Sequence, residues 1–148
     1  MIQEENQLLL IDLCVRLPYG VKMHLNTSEY GELIGTLDAV YPTEERIIVD
    51  NLDKAIAPIN IRCGGFKIEE NKVKPYLRPM SSMTEEEKQM MDNLWKDNNN
   101  LVFADPAEVR RYKFYDISVV DFLNAHHFDY RGLIEKGLAI KTLKGMYE

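Results

Sequence analysis

The sequence predicts an α+β protein in which a small antiparallel β-barrel, residues 1–80, is followed by a helical segment, residues 81–148. Two observations predict this architecture. Before residue 80, short apolar runs, several of them with a period of two residues, are separated by polar turns, as in strands. After residue 81, helix-capping patterns precede apolar residues at helical spacing. Because the join at residues 79–82 is short, we expect the helices to pack on the barrel as one compact unit.

The centre of the predicted barrel is a three-stranded meander between residues 21 and 50. Its first run alternates, with three apolar residues on one face: Val21, Met23 and Leu25. The next strand follows a polar turn at 26–31 and is apolar on both faces, so at least one of Leu37 and Val40 should be fully buried. Gly35 lies inside this strand and predicts a bulge or a sharp bend. A turn at 41–45 leads into the third strand.

Further strands are predicted on either side of the meander. Residues 7–17 alternate between apolar and other residues and predict a first strand. Short strands are expected at 59–61 and from Phe66 to Ile68. Residues 73–77 contain Pro75, which lacks a backbone N–H, so this segment should be an edge strand or an extended segment.

Four helices are predicted after residue 81. Ser82 should cap the first, with Glu85 closing a capping box. One side of this helix is apolar: Met83, Met90, Met91, Leu94 and Trp95. The second should open at Asp105, which precedes a proline. The third should start at Asp116 or Ser118, and the fourth should run from Asp129 to Gly137, a glycine placed to end it.

Composition and charge restrict the class of protein. Asp and Glu number 24 against 18 Lys and Arg, for a net charge of −6, which disfavours non-specific nucleic-acid binding. Cys14 and Cys63 lie far apart in strand-like sequence, so we expect buried thiols in a reducing compartment. No apolar run approaches the length of about 20 residues that spans a bilayer. We therefore expect a cytoplasmic protein without a membrane partner.

A basic and aromatic segment is the first candidate binding site. It comprises Arg110, Arg111, Lys113 and Tyr115. Such interleaving could hold phosphates and stack bases. The same pattern also fits a helix whose aromatic residues face inward while its cations extend into solvent, which is the interpretation that we favour.

The second candidate binding site surrounds the pair His126–His127, with Tyr130 and Arg131 close by in the sequence. Adjacent residues on a helix point about 100° apart, so this pair alone is poorly arranged to chelate one ion. The end of a helix, where imidazoles meet exposed carbonyls, explains the pair better. Asp121, Asp129 and Glu135 lie near enough in sequence to suggest acid–base chemistry, but Asp129 is better explained as a helix cap and Asp121 as a capping-box partner of Ser118. We therefore predict no metal, no cofactor and no catalytic residue.

Two resemblances rest on particular segments. VKMHLN, YGELIGTLDAVYP and RIIVDN resemble the strand–turn–bent-strand section of SH3-like and Sm-like small barrels, which implies that fold for the N-terminal part. KPYLRPMSSMTEEE and DFLNAHHFDYRGLIEKGLAI resemble segments of a group of uncharacterised proteins of gut anaerobes and their prophages. This second resemblance implies a mobile-element context and brings no activity.

Three functions are compatible with these patterns. The first, which we favour, is a non-enzymatic binding or adaptor protein that acts through contact with a protein partner. The second is an accessory protein that binds nucleic acid through the 110–115 segment. The third is a hydrolase or metal enzyme built on His126, His127 and Asp129; the sequence contains no nucleophile elbow, phosphate loop or dinucleotide fingerprint that would support an enzyme.

Overall fold

The computed structural model describes residues 3–54, 65–98 and 117–147, and shows a mixed α+β fold. Its helices in these ranges are α1 (Gln3–Arg16), α2 (Glu85–Asn98) and α3 (Ile117–Ala125). Its strands are β1 (Lys22–Thr27), β2 (Gly31–Tyr41), β3 (Arg46–Asp50), β4 (Phe66–Lys67), β5 (Lys74–Leu77) and β6 (Ile140–Lys141). Short 3-10 turns follow α1 at Leu17–Tyr19 and precede α2 at Met80–Ser82.

The described strands form one sheet in the order β4-β3-β2-β1-β5-β6. The β1–β2–β3 meander is antiparallel throughout, as the sequence predicts. The prediction of a closed barrel is wrong, because β4 and β6 lie at opposite edges of the sheet and do not pair with each other. The sheet is therefore open, and β6, which pairs parallel to β5, comes from the segment predicted to be helical.

The first predicted strand, residues 7–17, is wrong: this segment is helix α1. Its buried residues recur three or four positions apart, on one helical face: Asn6, Leu9, Leu10, Asp12, Leu13 and Arg16. Ile11 and Val15, which the alternation places with the core residues, are 54% and 38% exposed. The run Leu8-Leu9-Leu10 also favours a helix intrinsically, since leucine is a strong helix former. Cys14 is exposed on this helix, which corrects the prediction of a buried thiol.

The meander places its alternating residues on the face that α1 covers. Met23 and Leu25 are buried with Leu9 and Leu13 of the helix. Leu37 is 3% exposed and Val40 half-buried, so the prediction that at least one of them is buried is confirmed.

Gly35 marks a close approach of β2 to β3. A Cβ atom here would lie 2.4 Å from a methyl carbon of Val49 and 2.6 Å from the backbone oxygen of Asp50. The irregularity in the β2–β3 register lies further along, between Leu37 and Ala39. The glycine is therefore required by crowding, and the bulge is a separate feature.

Of the two alternatives predicted for residues 73–77, the edge strand is wrong, whereas the segment is extended, as strand β5. β5 lies between β1 and β6, and Pro75 itself is opposite Met23. β6 pairs only with Tyr76 and Leu77, the two residues after the proline. Because β6 is so short, the proline does not have to supply a hydrogen bond to a second neighbour.

Helix α2 begins two residues later than predicted. Its cap is Thr84, whose Oγ1 accepts a hydrogen bond from the Glu87 N–H at 3.1 Å, while the Glu87 carboxylate accepts one from the Thr84 N–H at 3.0 Å. The predicted Ser82–Glu85 box is thus replaced by Thr84–Glu87, which has the same spacing. The Ser82 hydroxyl donates instead to the backbone oxygen of Pro79.

The apolar side of α2 packs against α3. Its cluster contains Met83, Met91, Val119, Phe122, Leu123 and Phe128. Met90, which the sequence places in the same stripe, is 49% exposed. Helix α3 confirms the third predicted helix. The prediction of a fourth helix is wrong, because residues 133–137 form turns. Asp129 nevertheless caps these turns through the N–H groups of Leu133 and Ile134, and Gly137 has a positive φ of 74°.

Some predictions lie outside the described residues: the strand at 59–61, the helix opening at Asp105 and the environment of Cys63. Within the described ranges, no helix is both long enough and apolar enough to cross a membrane.

Candidate functional site

A buried ionic cluster joins α1 to the segment after α3. Asp12 and Arg16 are each fully buried, and the Arg16 Nε donates to Asp12 Oδ2 at 2.6 Å. Arg16 Nη2 also donates to the backbone oxygen of Phe128 at 2.7 Å, and Arg131 Nε donates to the second Asp12 oxygen at 3.1 Å. One carboxylate therefore holds two guanidinium groups, which fixes the helix against a segment more than 100 residues away.

Tyr130 completes this cluster. Arg16 and Arg131 both lie over its ring, with their guanidinium carbons 5.2 Å and 5.3 Å from the ring centroid. Its hydroxyl donates to the side-chain oxygen of Asn124 at 2.8 Å. Cation–π contacts and a buried ion pair of this kind position helices, so Tyr130 and Arg131 have internal structural partners.

His127 lies beside the ionic cluster and stacks on Tyr147. The ring centroids are 3.6 Å apart and the planes 15° from parallel. The Tyr147 hydroxyl accepts a hydrogen bond from the Lys22 N–H and donates one to the Tyr76 carbonyl, both at 2.7 Å. This tyrosine thus connects β1, β5 and residue 127, and burial raises the pKa of its hydroxyl.

Burial lowers the pKa of His127 from its ordinary 6.5 to about 4, and the nearby Arg16 cation acts in the same direction. The imidazole is therefore neutral at pH 7. Its Nδ1 is buried and has no hydrogen-bond partner in the part of the chain that the structure describes. The stacking of this neutral ring on Tyr147 fits a packing role, and its unpaired nitrogen is an energetic cost of that role.

His126 faces the other way, toward Glu87. Its Nδ1 is 3.4 Å from Glu87 Oε2. Arg78 holds the same carboxylate through two hydrogen bonds of 2.7 Å, and these bonds lower the pKa of Glu87 to about 2. Arg78 also lies over the ring of Phe128, with 4.2 Å between its guanidinium carbon and the ring centroid.

A polar cleft, which we call the Arg78 cleft, opens beside this pair. It has a volume of about 440 Å³ and is lined by Arg78, Thr84, Glu86, Glu87 and residues 142–147. Its central charges already neutralise each other, since Arg78 and Glu87 are bound bidentately. A charged ligand would have to compete with this internal pair.

The four described residues of the predicted binding set are thus close together but engaged. His127 and Tyr130 lie near Arg16, Arg131 contacts Tyr130 and Asp12, and His126 contacts Glu87. Arg110, Arg111, Lys113 and Tyr115 lie outside the described residues. Across residues 3–54, 65–98 and 117–147, no group of three His, Cys, Asp or Glu side chains is placed to hold a metal ion.

A second depression, the α1 groove, runs along the outer side of α1 beside the β2–β3 turn. Its lining is Gln7, Leu10, Ile11, Cys14, Val15 and Pro42, and its volume is about 430 Å³. None of these described lining residues is charged. Tyr41, next to Pro42 in the chain, is 46% exposed. Exposed apolar residues grouped in this way mark contact surfaces more often than singly exposed ones do.

Two exposed acidic residues stand next to lining residues of the α1 groove in the chain. Glu4 precedes Gln7 by one helical turn on the same face, and Glu44 follows Pro42 in the β2–β3 turn. The start of α1 is held near this turn, because the Gln3 amide donates to the Glu45 carboxylate at 3.5 Å. Arg46, next in sequence, has contacts of its own.

Sequence reasoning missed the α1 groove because it assigned residues 7–17 to a strand. The signal was present: Gln7, Ile11 and Cys14 are spaced by four and three residues, the spacing of one helical face.

Comparisons with protein families, with curated proteins and with solved structures find no match for this chain.

Proposed function

We propose that this protein is a non-enzymatic binding module that contacts a protein partner through the α1 groove. The exposure of Ile11 and Val15 on an otherwise well-packed helix is the observation that carries the proposal. A helix that buries Leu9 and Leu13 completely while exposing branched apolar residues on its other side has a second apolar surface. Such surfaces cost solubility unless a partner covers them.

The alternative site on the described surface supports a binding role less well. In the Arg78 cleft the guanidinium and the carboxylate are paired with each other, and Glu87 is fixed further by the cap of α2. Asp129, a candidate acid in the sequence, accepts hydrogen bonds from the N–H groups of Leu133 and Ile134 with its two oxygens. These groups are engaged in holding the fold, which supports a non-enzymatic role. The mobile-element context implied by the sequence resemblance stays a prediction.

The proposal is tested with an amphipathic helical peptide whose apolar face is leucine and whose polar face is glutamine. Burying the exposed half of Ile11 should contribute about 1 kcal/mol to binding, about half the value for a whole aliphatic side chain. Ile11→Ser should therefore weaken binding about fivefold in a fluorescence-anisotropy titration.

Met90→Ser is the matched control, because Met90 is exposed to a similar extent on α2. It should bind the peptide as the parent does. Val15→Ser provides a second variant in the groove, and thermal melting confirms that each variant is folded. If Ile11→Ser and Val15→Ser bind as tightly as the parent, the α1 groove is not a contact surface.

A further inference from the structure

We infer that the partner of the α1 groove is a basic amphipathic helix: apolar side chains on one face, with lysine or arginine beside them. This inference rests on the proposed function and adds the chemistry of the partner. It combines the shape of the groove with the charges around it.

The shape of the groove favours a helix. The lining on α1 extends from Gln7 to Val15, and eight residues of helix rise about 12 Å. This length matches two turns of a second helix, which would present apolar residues at i, i+4 and i+7. Pro42, from the β2–β3 turn, lines the groove together with α1, so an incoming helix would contact both.

The charges favour a basic partner. Glu4 and Glu44 are exposed near the groove, and Glu45 is half-buried with its carboxylate close to Gln3. Arg16 on α1 is fully buried and held by Asp12, so it does not offset these acids at the surface. The cations beside the turn are also engaged: Arg46 has contacts of its own, and Lys67, opposite it in β4, lies 3.9 Å from Glu70. The chain as a whole carries −6, which attracts a cationic partner at long range.

The test uses three peptides of about 18 residues, long enough to form helix, with one leucine face and a polar face of lysine, glutamine or glutamate. Anisotropy titrations are run at about 0.05 M and about 0.5 M NaCl, between which the Debye length falls from about 14 Å to about 4 Å. At low salt the lysine peptide should bind about threefold to tenfold more tightly than the glutamine peptide, the range expected for a few exposed ion pairs. The glutamate peptide should bind most weakly, and high salt should bring the three together.

The acids themselves are tested by the double variant Glu44→Gln with Glu45→Gln. It should lose about half of the preference for the lysine peptide. The matched control is Glu29→Gln with Glu32→Gln, which removes the same charge from the β1–β2 turn and the start of β2 and should keep the preference.

Each result separates the partner chemistry from the proposed function. Equal binding of the three peptides, weakened by Ile11→Ser, would retain the groove and overturn the basic partner. If Ile11→Ser does not change the affinity for the peptides, or if no peptide binds, both the proposed contact surface and the basic partner are overturned. Sedimentation showing a dimer that Ile11→Ser dissociates would identify a second copy as the occupant. Co-sedimentation with phosphatidylcholine–phosphatidylglycerol vesicles, lost in Ile11→Ser, would identify a lipid surface. Either result would contradict a basic helix as the partner.

Discussion

Lowering the pH from 6.5 to 4 should destabilise the protein through one side chain, His127. Its folded-state pKa is about 4, against 6.5 for an ordinary histidine, because the ring is buried near Arg16. Between these values the unfolded chain binds a proton at this residue and the folded chain does not, so stability falls as the pH falls. Each pH unit in this window is worth about 1.4 kcal/mol, and the whole window should remove about 3 kcal/mol of unfolding free energy.

Urea unfolding of the parent and of His127→Phe, at several pH values between 4 and 8, measures this contribution. Phenylalanine keeps a flat ring against Tyr147 but cannot be protonated. Because residue 127 has a positive φ of 63°, the phenylalanine variant should be less stable by a constant amount at every pH. The quantity to compare is therefore the change with pH of the difference between the two proteins. Leu143→Ser, at an exposed position, serves as the surface control and should follow the parent.

Glu87 contributes to stability in a lower pH range, so it does not affect the comparison of the parent with His127→Phe. Its pKa is lowered from 4.5 to about 2 by hydrogen bonds from Arg78, so its stabilisation is present above pH 4.5 and is lost as the pH falls toward 2. Both proteins share this loss. If the difference between the parent and His127→Phe is the same at pH 5 and pH 8, the argument that burial keeps His127 neutral is refuted.

Three further predictions concern stability, each measured as a change in the urea midpoint and unfolding free energy. Thr84→Ala should cost about 1 kcal/mol by removing the cap of α2, whereas Ser82→Ala should change little; equal losses would mean that the cap is misplaced. Gly35→Ala should cost about 1–3 kcal/mol, because the new methyl group overlaps β3, and a parent-like midpoint would show that the two strands can separate. Asp12→Ala should cost about 3–5 kcal/mol by leaving the buried Arg16 charge without its carboxylate, and a loss well below about 1 kcal/mol would mean that water reaches this cluster.

The meander could be predicted because its signals are local. Alternation at Val21, Met23 and Leu25 determines which face is buried, and polar turns fix where the strands end. The pairing of β6 with β5, which forms one edge of the open sheet, could not be predicted, because β6 is two residues long and lies more than 60 residues after β5. No local pattern indicates such a pairing.

Helix α1 was mistaken for a strand because its apolar residues satisfy both periods. Leu9, Ile11 and Leu13 are two residues apart, as on one face of a strand. Leu9, Leu10 and Leu13 have the spacing of one face of a helix. The helix is selected by burial of Asp12 and Arg16, four residues apart on its inner side. A periodicity search expects only apolar residues on the buried face, so it does not detect buried charges. Arg131, which binds Asp12, is 119 residues away in the sequence. Hydrophobic periodicity alone could not reveal this arrangement.

The cap of α2 shows a different limit. Ser82–Glu85 and Thr84–Glu87 are two frames of the same motif, and both satisfy the spacing of a capping box. The choice depends on Arg78, which binds the Glu87 carboxylate from outside the helix. The sequence correctly predicts a capping box at the start of α2, and the contact between Arg78 and Glu87 determines which residues form it.

The contacts of Tyr147 have a consequence for the order of folding. Its hydroxyl bonds to residue 22, 125 positions earlier, and Arg16 reaches Phe128 across 112 positions. Closing such long loops costs entropy before any contact is gained, whereas the β1–β3 meander can form from neighbouring residues. We therefore expect the meander to form first and the tyrosine contacts to form after the rate-limiting step. Weakening them, as in Tyr147→Phe, should then accelerate unfolding and leave the refolding rate nearly unchanged.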